Sequence, residues 1–210
     1  DPAAFSTEVA HAVRLCTADN ATEQMRVAAI GVLAKLPPPA LAVHALPVLA
    51  HLLEAKGSKV RKSTVEALGK LAPAELLSRW LSRSLPLLAM LEHDEDAFVR
   101  REVCKTISKT MSSITMPMPT AAEDVVISLL SAISDEDKAC RAQVVQAVSR
   151  LNATAISLHA EKLAAHLADA RRDVRLAALE VCPNRGAQTR SHLAASLGIT
   201  TKLGLSRVLA

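Results

Sequence analysis

Aromatic residues are almost absent from this chain of 210 residues, which contains one Trp, two Phe and no Tyr. Glycine is also scarce, with six residues, whereas an all-β fold needs many turns and strands rich in aromatic and β-branched side chains. The apolar half of the composition is dominated by Ala, Leu and Val. These shortages predict helices that pack through small and aliphatic side chains.

Patterns for metal binding, redox chemistry and membrane insertion are missing as well. The four cysteines have neither metal-ligand nor redox spacing, and we interpret them as reduced, buried residues. The most apolar stretch, residues 41–53, is shorter than the roughly 20 residues that a membrane-spanning helix needs. We therefore predict no metal, no cofactor, no membrane contact and an intracellular protein, cytoplasmic or nuclear.

No residue pattern localises catalysis. His44 and His51 are seven residues apart, as are His159 and His166. Two helical turns separate the members of each pair by about 10 Å, which is too far for both to bind one metal ion. The sequence also has no Gly-rich phosphate loop and no nucleophile elbow. We predict that the chain is not an enzyme.

The sequence does contain a short stretch that occurs five times, in which an apolar residue and an arginine open an amphipathic segment. It is clearest at Asp94–Val103, where an acidic turn precedes the arginine. The five arginines are Arg26, Arg61, Arg100, Arg141 and Arg175. Their spacings of 35, 39, 41 and 34 residues are typical of solenoids built from helix pairs.

Breaks between the apolar-periodic segments divide the chain into five helix pairs and a C-terminal cap. The pairs span 3–36, 40–72, 74–112, 121–151 and 154–183, and the cap spans 184–210. The longest break, Ser112–Thr120, contains two prolines and is where we expect an irregularity or a hinge. We predict one all-α domain over residues 1–210, a right-handed α-solenoid. The opening Asp1-Pro2 indicates a fragment or a processed product.

The core face follows from the position of each arginine. Steps of about 100° per residue place positions −1, +3, +6, +7 and +10 from the arginine on one side of the helix. These positions are apolar or small in successive repeats, which predicts that they face the core. In the second, third and fourth repeats they are Val60, Thr64, Ala67, Leu68, Leu71, Val99, Val103, Thr106, Ile107, Thr110, Cys140, Val144, Ala147, Val148 and Leu151.

Each arginine lies at the edge of this face and is preceded by a turn. The residues six positions before the arginines are Asn20, Ala55, Asp94, Asp135 and Asp169. An acid there could bond to the arginine of a neighbouring repeat, or it could cap the helix that follows, and the two interpretations are compatible. Ala55 has no polar side chain, so we predict that the second repeat is the weak step. In either case the arginine is structural rather than catalytic.

These repeats resemble HEAT repeats over about residues 3–183. The resemblance rests on the turn acids with their arginines and on prolines inside two first helices: Asp94 with Val99-Arg100, Asp135 with Arg141, Asp169 with Val174-Arg175, and Pro47 and Pro86. Repeats four and five lack the proline, and repeat two lacks the acid. HEAT-like solenoids line their concave face with second helices and serve mostly as scaffolds, adaptors and transport factors. The resemblance therefore implies a protein-binding function.

Positions +1, +5 and +9 point away from the core face, at roughly 100°, 140° and 180°. Seven of these residues are basic: Lys35, Lys62, Lys70, Arg101, Lys105, Lys109 and Arg150. On concave second helices they would form a cationic column that binds an acidic peptide, an acidic protein surface or a phosphate backbone. Alternatively, the cations only solvate the surface and offset the helix dipole, because position +9 lies near the helix C-terminus.

We therefore predict a non-enzymatic scaffold or adaptor, a subunit or fragment of a larger assembly, whose acidic protein partner binds this column. A nucleic-acid-associated HEAT protein that contacts phosphates is the first alternative. Three aromatic residues are few for a single-strand binder, which usually stacks bases on aromatic rings. A HEAT-like lyase, implied by resemblance alone, is the second alternative.

Overall fold

The computed structural model of the chain describes residues 2–71, 90, 92–111, 121–149, 151, 156 and 158–181. Several sequence predictions fall outside the described residues. These are most of the third pair's first helix at 74–92, the break at 112–120, Arg150 and the cap at 184–210.

The described residues form helices joined by turns, and they contain no strand. The helices of the first three predicted repeats are α1 (Pro2–Thr17), α2 (Glu23–Leu33), α3 (Pro38–His44), α4 (Leu46–Leu52), α5 (Ser58–Leu68) and α6 (Ala97–Met111). Those of the last two are α7 (Ala121–Ser131), followed by a short 3₁₀ helix at Ala132–Ser134, α8 (Lys138–Ser149), α9 (Ala160–Leu167) and α10 (Arg172–Val181). The predicted all-α class is confirmed.

The chain divides into two compact units, Asp1–Thr106 and Ile107–Ala210. In the first unit α1 packs on α2 and α4, and both α2 and α4 pack on α5. First helices thus form one layer and second helices the other, as stacked helix pairs do. The second unit repeats this arrangement, since α7 packs on α8 and α9, and both of these pack on α10.

The sequence predicts one helix pair over residues 40–72, but the structure has two helices in the first half of that pair. The helix α3 ends at His44, and α4 begins at Leu46 with Pro47 in its first turn. Proline has no amide proton, and its ring collides with the carbonyl four residues earlier in a continuous helix. Pro47 therefore ends one helix and starts the next.

The predicted core face is confirmed. All fifteen residues assigned to it in the second, third and fourth repeats are buried. Position +7 supplies some of the largest fully buried side chains, namely Leu33, Leu68 and Ile107. The register of the arginines therefore identifies the side of each second helix that faces the core.

Four of the five arginines also clamp the turn that precedes their own helix. Arg61 Nη1 donates to the carbonyl oxygens of Ala55 and Lys56, each at 2.9 Å. Arg100, Arg141 and Arg175 donate to the carbonyls six and five residues earlier, over 2.6–3.3 Å. Because the acceptors are backbone oxygens, this clamp does not depend on the side chain six residues before the arginine.

Within each unit, a carboxylate of the following repeat also bonds to an arginine. In the first unit Arg61 makes a two-pronged pair with Asp94, with Nε at 2.7 Å and Nη2 at 2.8 Å from the two carboxylate oxygens. Asp94 Oδ1 also accepts from the Asp96 amide at 2.9 Å, so the acid both joins repeats and fixes its own turn.

The corresponding acid of the second unit is not the one that the sequence suggested. Arg141 pairs with Asp173, in the first turn of α10, and not with Asp169. Asp169 is occupied within its own turn, where its carboxylate accepts from the amide of Arg171 at 2.8 Å. The position of the acid within the turn therefore varies between repeats, whereas the arginine stays fixed.

Among the residues that the structure describes, Arg26 has no such acid, as the weak step at Ala55 predicts. Its Nη2 donates to the Ala18 carbonyl at 3.1 Å, but its Nε is buried without a hydrogen-bond partner. In the repeat that follows, Ala55 stands where Asp94 stands one repeat later. The contact between the first two repeats therefore lacks a charge-assisted bond.

Supplying that bond is expected to stabilise the protein. Ala55→Asp should raise the free energy of unfolding by about 1–2 kcal/mol, because a hydrogen bond to a charged group contributes roughly that much. Urea denaturation of the native chain, of Ala55→Asp, of Arg26→Gln and of the double variant measures the effect. The gain should disappear in the Arg26→Gln background, and a gain that persists there would show that the new carboxylate acts elsewhere.

Candidate partner-binding surface

Two of the predicted basic residues occupy equivalent places on neighbouring second helices. Lys35 and Lys70 lie in the turns that directly follow α2 and α5, and both side chains are exposed. Their amides donate to the carbonyls of Val32 and Ala67, in each case at 3.1 Å. Because α2 and α5 pack together, these turns belong to the same layer of the first unit.

Lys62 lies on the first turns of α5 and is half-buried. Exposed Glu66, one turn further along, is the one acid among the outward positions of the first three repeats. Within the part of the chain that the structure describes, Lys35, Lys62 and Lys70 form no ion pair. No described carboxylate is therefore within ion-pairing distance of these three lysines.

The helix α2 leaves room for a partner beside these lysines. Gly31 is exposed, and a Cβ added to it would meet no atom within 4 Å. An approaching peptide backbone can therefore come close to the helix at this point.

The helix α6 brings two more of the predicted cations to the same layer. It lies beside α5, because Thr106 Oγ1 is 3.5 Å from the Val65 carbonyl oxygen. A Cβ added at Gly69 would also lie only 3.0 Å from Thr106 Oγ1. Arg101 is half-buried on α6, and Lys105 is exposed. The structure thus collects Lys35, Lys62, Lys70, Arg101 and Lys105 on the second helices of the first unit; we call these five residues the basic surface.

The remaining two predicted cations are not part of this surface. Lys109 is exposed on α6 but belongs to the second unit, and Arg150 lies outside the described residues. A column of seven residues through both units therefore remains a prediction.

The acids nearest to α6 are engaged in structural bonds. Asp94 pairs with Arg61, and its side chain is only 4% exposed. A hydrogen bond from the Ser58 side chain, with others from the amides of Phe98 and Val99, holds the pKa of Asp96 below its usual value. Asp94 and Asp96 are therefore committed to the turn, whereas Glu102 of α6 itself pairs with Lys105 of the basic surface at 3.2 Å.

Phe98 is the functional candidate that the sequence analysis missed. It lies in the first turn of α6, and 60% of it is exposed. The Arg101 guanidinium carbon lies 4.7 Å from the centre of its ring. The sequence could have indicated that Phe98 is exposed, because position −2 falls at roughly 160° on the same helical wheel, between the outward positions +5 and +9.

Cys16, Cys104 and Cys140 are buried thiols, and burial raises the pKa of Cys16 to about 11. Within the described ranges, no group of three or more His, Cys, Asp or Glu residues is placed to hold a metal ion. None of the helices described there has the length and apolar character needed to cross a membrane.

Comparison with known proteins shows the fold and a match to one family over part of the chain. A family model of HEAT repeats matches residues 13–103. Among solved structures, a computationally designed armadillo repeat protein for modular peptide recognition is 17% identical, with a TM-score of 0.61 over 95% of this chain and 94% of that one. A search of curated proteins gave no match.

Two further structures show the same fold. A designed armadillo repeat protein in complex with the peptide (KR)4 is 16% identical, with a TM-score of 0.63 over 94% of this chain and 95% of that one. A structure from Crescerin, described with its TOG domain array, is 22% identical, with a TM-score of 0.56 over 91% and 83%. At these identities the similarity concerns the fold alone, and it confirms the predicted α-solenoid repeat class.

Proposed function

We propose that this chain, which matches a family model of HEAT repeats over residues 13–103, is a non-enzymatic scaffold that binds another protein through the basic surface of its first unit. The partner presents an acidic peptide or an acidic patch. The proposal includes an intracellular location and membership of a larger assembly.

The observation that carries this proposal is the uncompensated charge of Lys35, Lys62 and Lys70. These lysines lie on packed second helices and form no ion pair with a described residue. A surface of one sign attracts a partner of the opposite sign, and complementary charges raise the association rate and select against wrong partners. The open space at Gly31 supports close approach of a peptide.

The sign of the surface distinguishes this chain from one of the proteins that share its fold. That designed armadillo repeat protein is in complex with (KR)4, a peptide of basic residues. A repeat protein of this fold can therefore hold a charged peptide. The basic surface of the present chain favours a peptide of the opposite charge.

The test is a crosslinked pull-down with the native chain and with Lys35, Lys62 and Lys70 all changed to Glu. The matched control changes Arg14, Lys56 and Lys59 to Glu, which gives the same net charge on exposed residues of α1 and of the turn and first residues of α5. Circular dichroism and thermal unfolding should show both variants folded. We expect the first variant to lose a discrete set of proteins, on the order of tenfold in recovery, and the control to keep them.

Each alternative predicts a different result. If the captured material is nucleic acid, recovery should fall steeply with salt and show little partner selectivity. If the triple variant keeps every partner that the native chain captures, the basic surface is only solvated and the proposal is wrong. Equal losses in the variant and the control would also contradict it, because net charge alone would then explain the capture.

A further inference from the structure

The residues Phe98, Arg101 and Lys105 follow one another at intervals of three and four along α6, so they share one face of that helix. They span about 10 Å along the helix axis. An exposed ring thus stands at the N-terminal end of a short row of cations. This row adds an exposed apolar side chain to the basic surface, and a purely electrostatic binding site would not need one.

The repeat architecture does not require an aromatic side chain at this place. In the other four repeats the residue two positions before the arginine is Gln24, Lys59, Ala139 or Asp173. The backbone of the turn is already fixed, because Asp96 accepts from the Phe98 amide at 2.8 Å and Arg100 donates to the Asp94 carbonyl at 2.6 Å. The ring adds nothing to the core, since most of it is exposed.

Its neighbours make the ring a binding element. The Arg101 guanidinium stacks over it, which holds both groups in a fixed geometry with little entropy left to lose on binding. The Lys105 ammonium group lies 3.2 Å from the Glu102 carboxylate, and the Glu102 side chain is only 12% exposed, whereas that of Lys105 is 66% exposed. Aromatic and arginine residues are the commonest sources of binding energy at protein interfaces.

We propose that Phe98 receives an apolar residue of the partner while Arg101 and Lys105 receive carboxylates next to it. The occupant is a segment of another protein in which an aromatic or aliphatic residue adjoins a run of Asp or Glu. This inference rests on the proposed function and makes it more specific: the acidic segment is recognised by an apolar anchor as well as by charge.

The experiment uses two fluorescent probes, a polyglutamate peptide and the same peptide with one phenylalanine at its end, in anisotropy titrations at low and physiological salt. The native chain should bind the phenylalanine-bearing probe about tenfold more tightly than polyglutamate. Phe98→Ala should remove this difference, while Phe98→Leu should keep part of it. An unchanged melting temperature would show that both variants are folded.

The remaining outcomes separate the two proposals. If both probes bind equally to native and Phe98→Ala protein but lose affinity when Lys35, Lys62 and Lys70 become Glu, the apolar anchor is wrong and the proposed function stands. If neither probe binds, both proposals are overturned. A single-stranded oligonucleotide that binds with the same dependence on Phe98 would overturn the anchor as well, because the ring would then be a platform for bases.

Discussion

Replacing Asp94 with alanine is expected to lower the free energy of unfolding by about 3 kcal/mol or more, because it leaves Arg61 buried without its carboxylate. The Arg61 and Asp94 side chains are 11% and 4% exposed, and two hydrogen bonds of 2.7 and 2.8 Å join them. Asp94 also accepts from the Asp96 amide, which adds the loss of a turn bond. Urea denaturation monitored by circular dichroism measures the change.

The neighbouring residue provides the control. Glu95 carries the same charge in the same turn and lies 3.6 Å from Arg61 Nη2, but its side chain is 85% exposed. Exposed ion pairs contribute little, so Glu95→Ala should change the unfolding free energy by less than about 1 kcal/mol. Equal effects of the two substitutions would mean that charge in the turn matters and the buried pair does not. Arg61→Lys should behave like Asp94→Ala, because an ammonium cannot make the two-pronged pair and the carbonyl clamp together.

Replacing Leu68 with alanine should cost about 2–5 kcal/mol, the range for large-to-small changes at fully buried sites. Leu68 is at position +7 of the second repeat and is completely buried. Leu33, at the same position of the first repeat, is also completely buried and should show a loss of the same order. The chemical-denaturation midpoint of each variant reports the loss.

Glu66 is the matched control on the same helix, two residues from Leu68 but exposed. Glu66→Ala should stay within about 0.5 kcal/mol of the native chain, as surface substitutions usually do. A loss at Leu68 no larger than that at Glu66 would show that the arginine register does not define the core face.

The register and the helix pairs could be predicted from the sequence because both follow from periodicity. Once Arg61 and Arg100 were aligned, a fixed angular step was enough to find the residues that are buried. The pairing of Arg141 with Asp173 could not be predicted in this way, since it depends on how two turns approach each other in space. Sequence spacing alone pointed to Asp169, which bonds within its own turn.

The basic surface could be predicted only in part, for a similar reason. The outward positions identified Lys35, Lys62 and Lys70, because charged residues off the core stripe are visible on a helical wheel. Exposure of Phe98 was not predicted, since an apolar residue in the first turn of a helix is more often assigned to the core.

Lysine acetylation most directly tests whether the partner binds the basic surface. The native chain is labelled both free and bound to the partner recovered in the pull-down, and mass spectrometry measures the reactivity of each lysine. If the partner covers the basic surface, Lys35, Lys62, Lys70 and Lys105 should lose reactivity in the complex, while Lys56 and Lys59 should keep theirs. Protection of Lys56 and Lys59, with Lys35 and Lys70 still reactive, would place the partner at the turns before the second helices. That result would contradict binding to the basic surface.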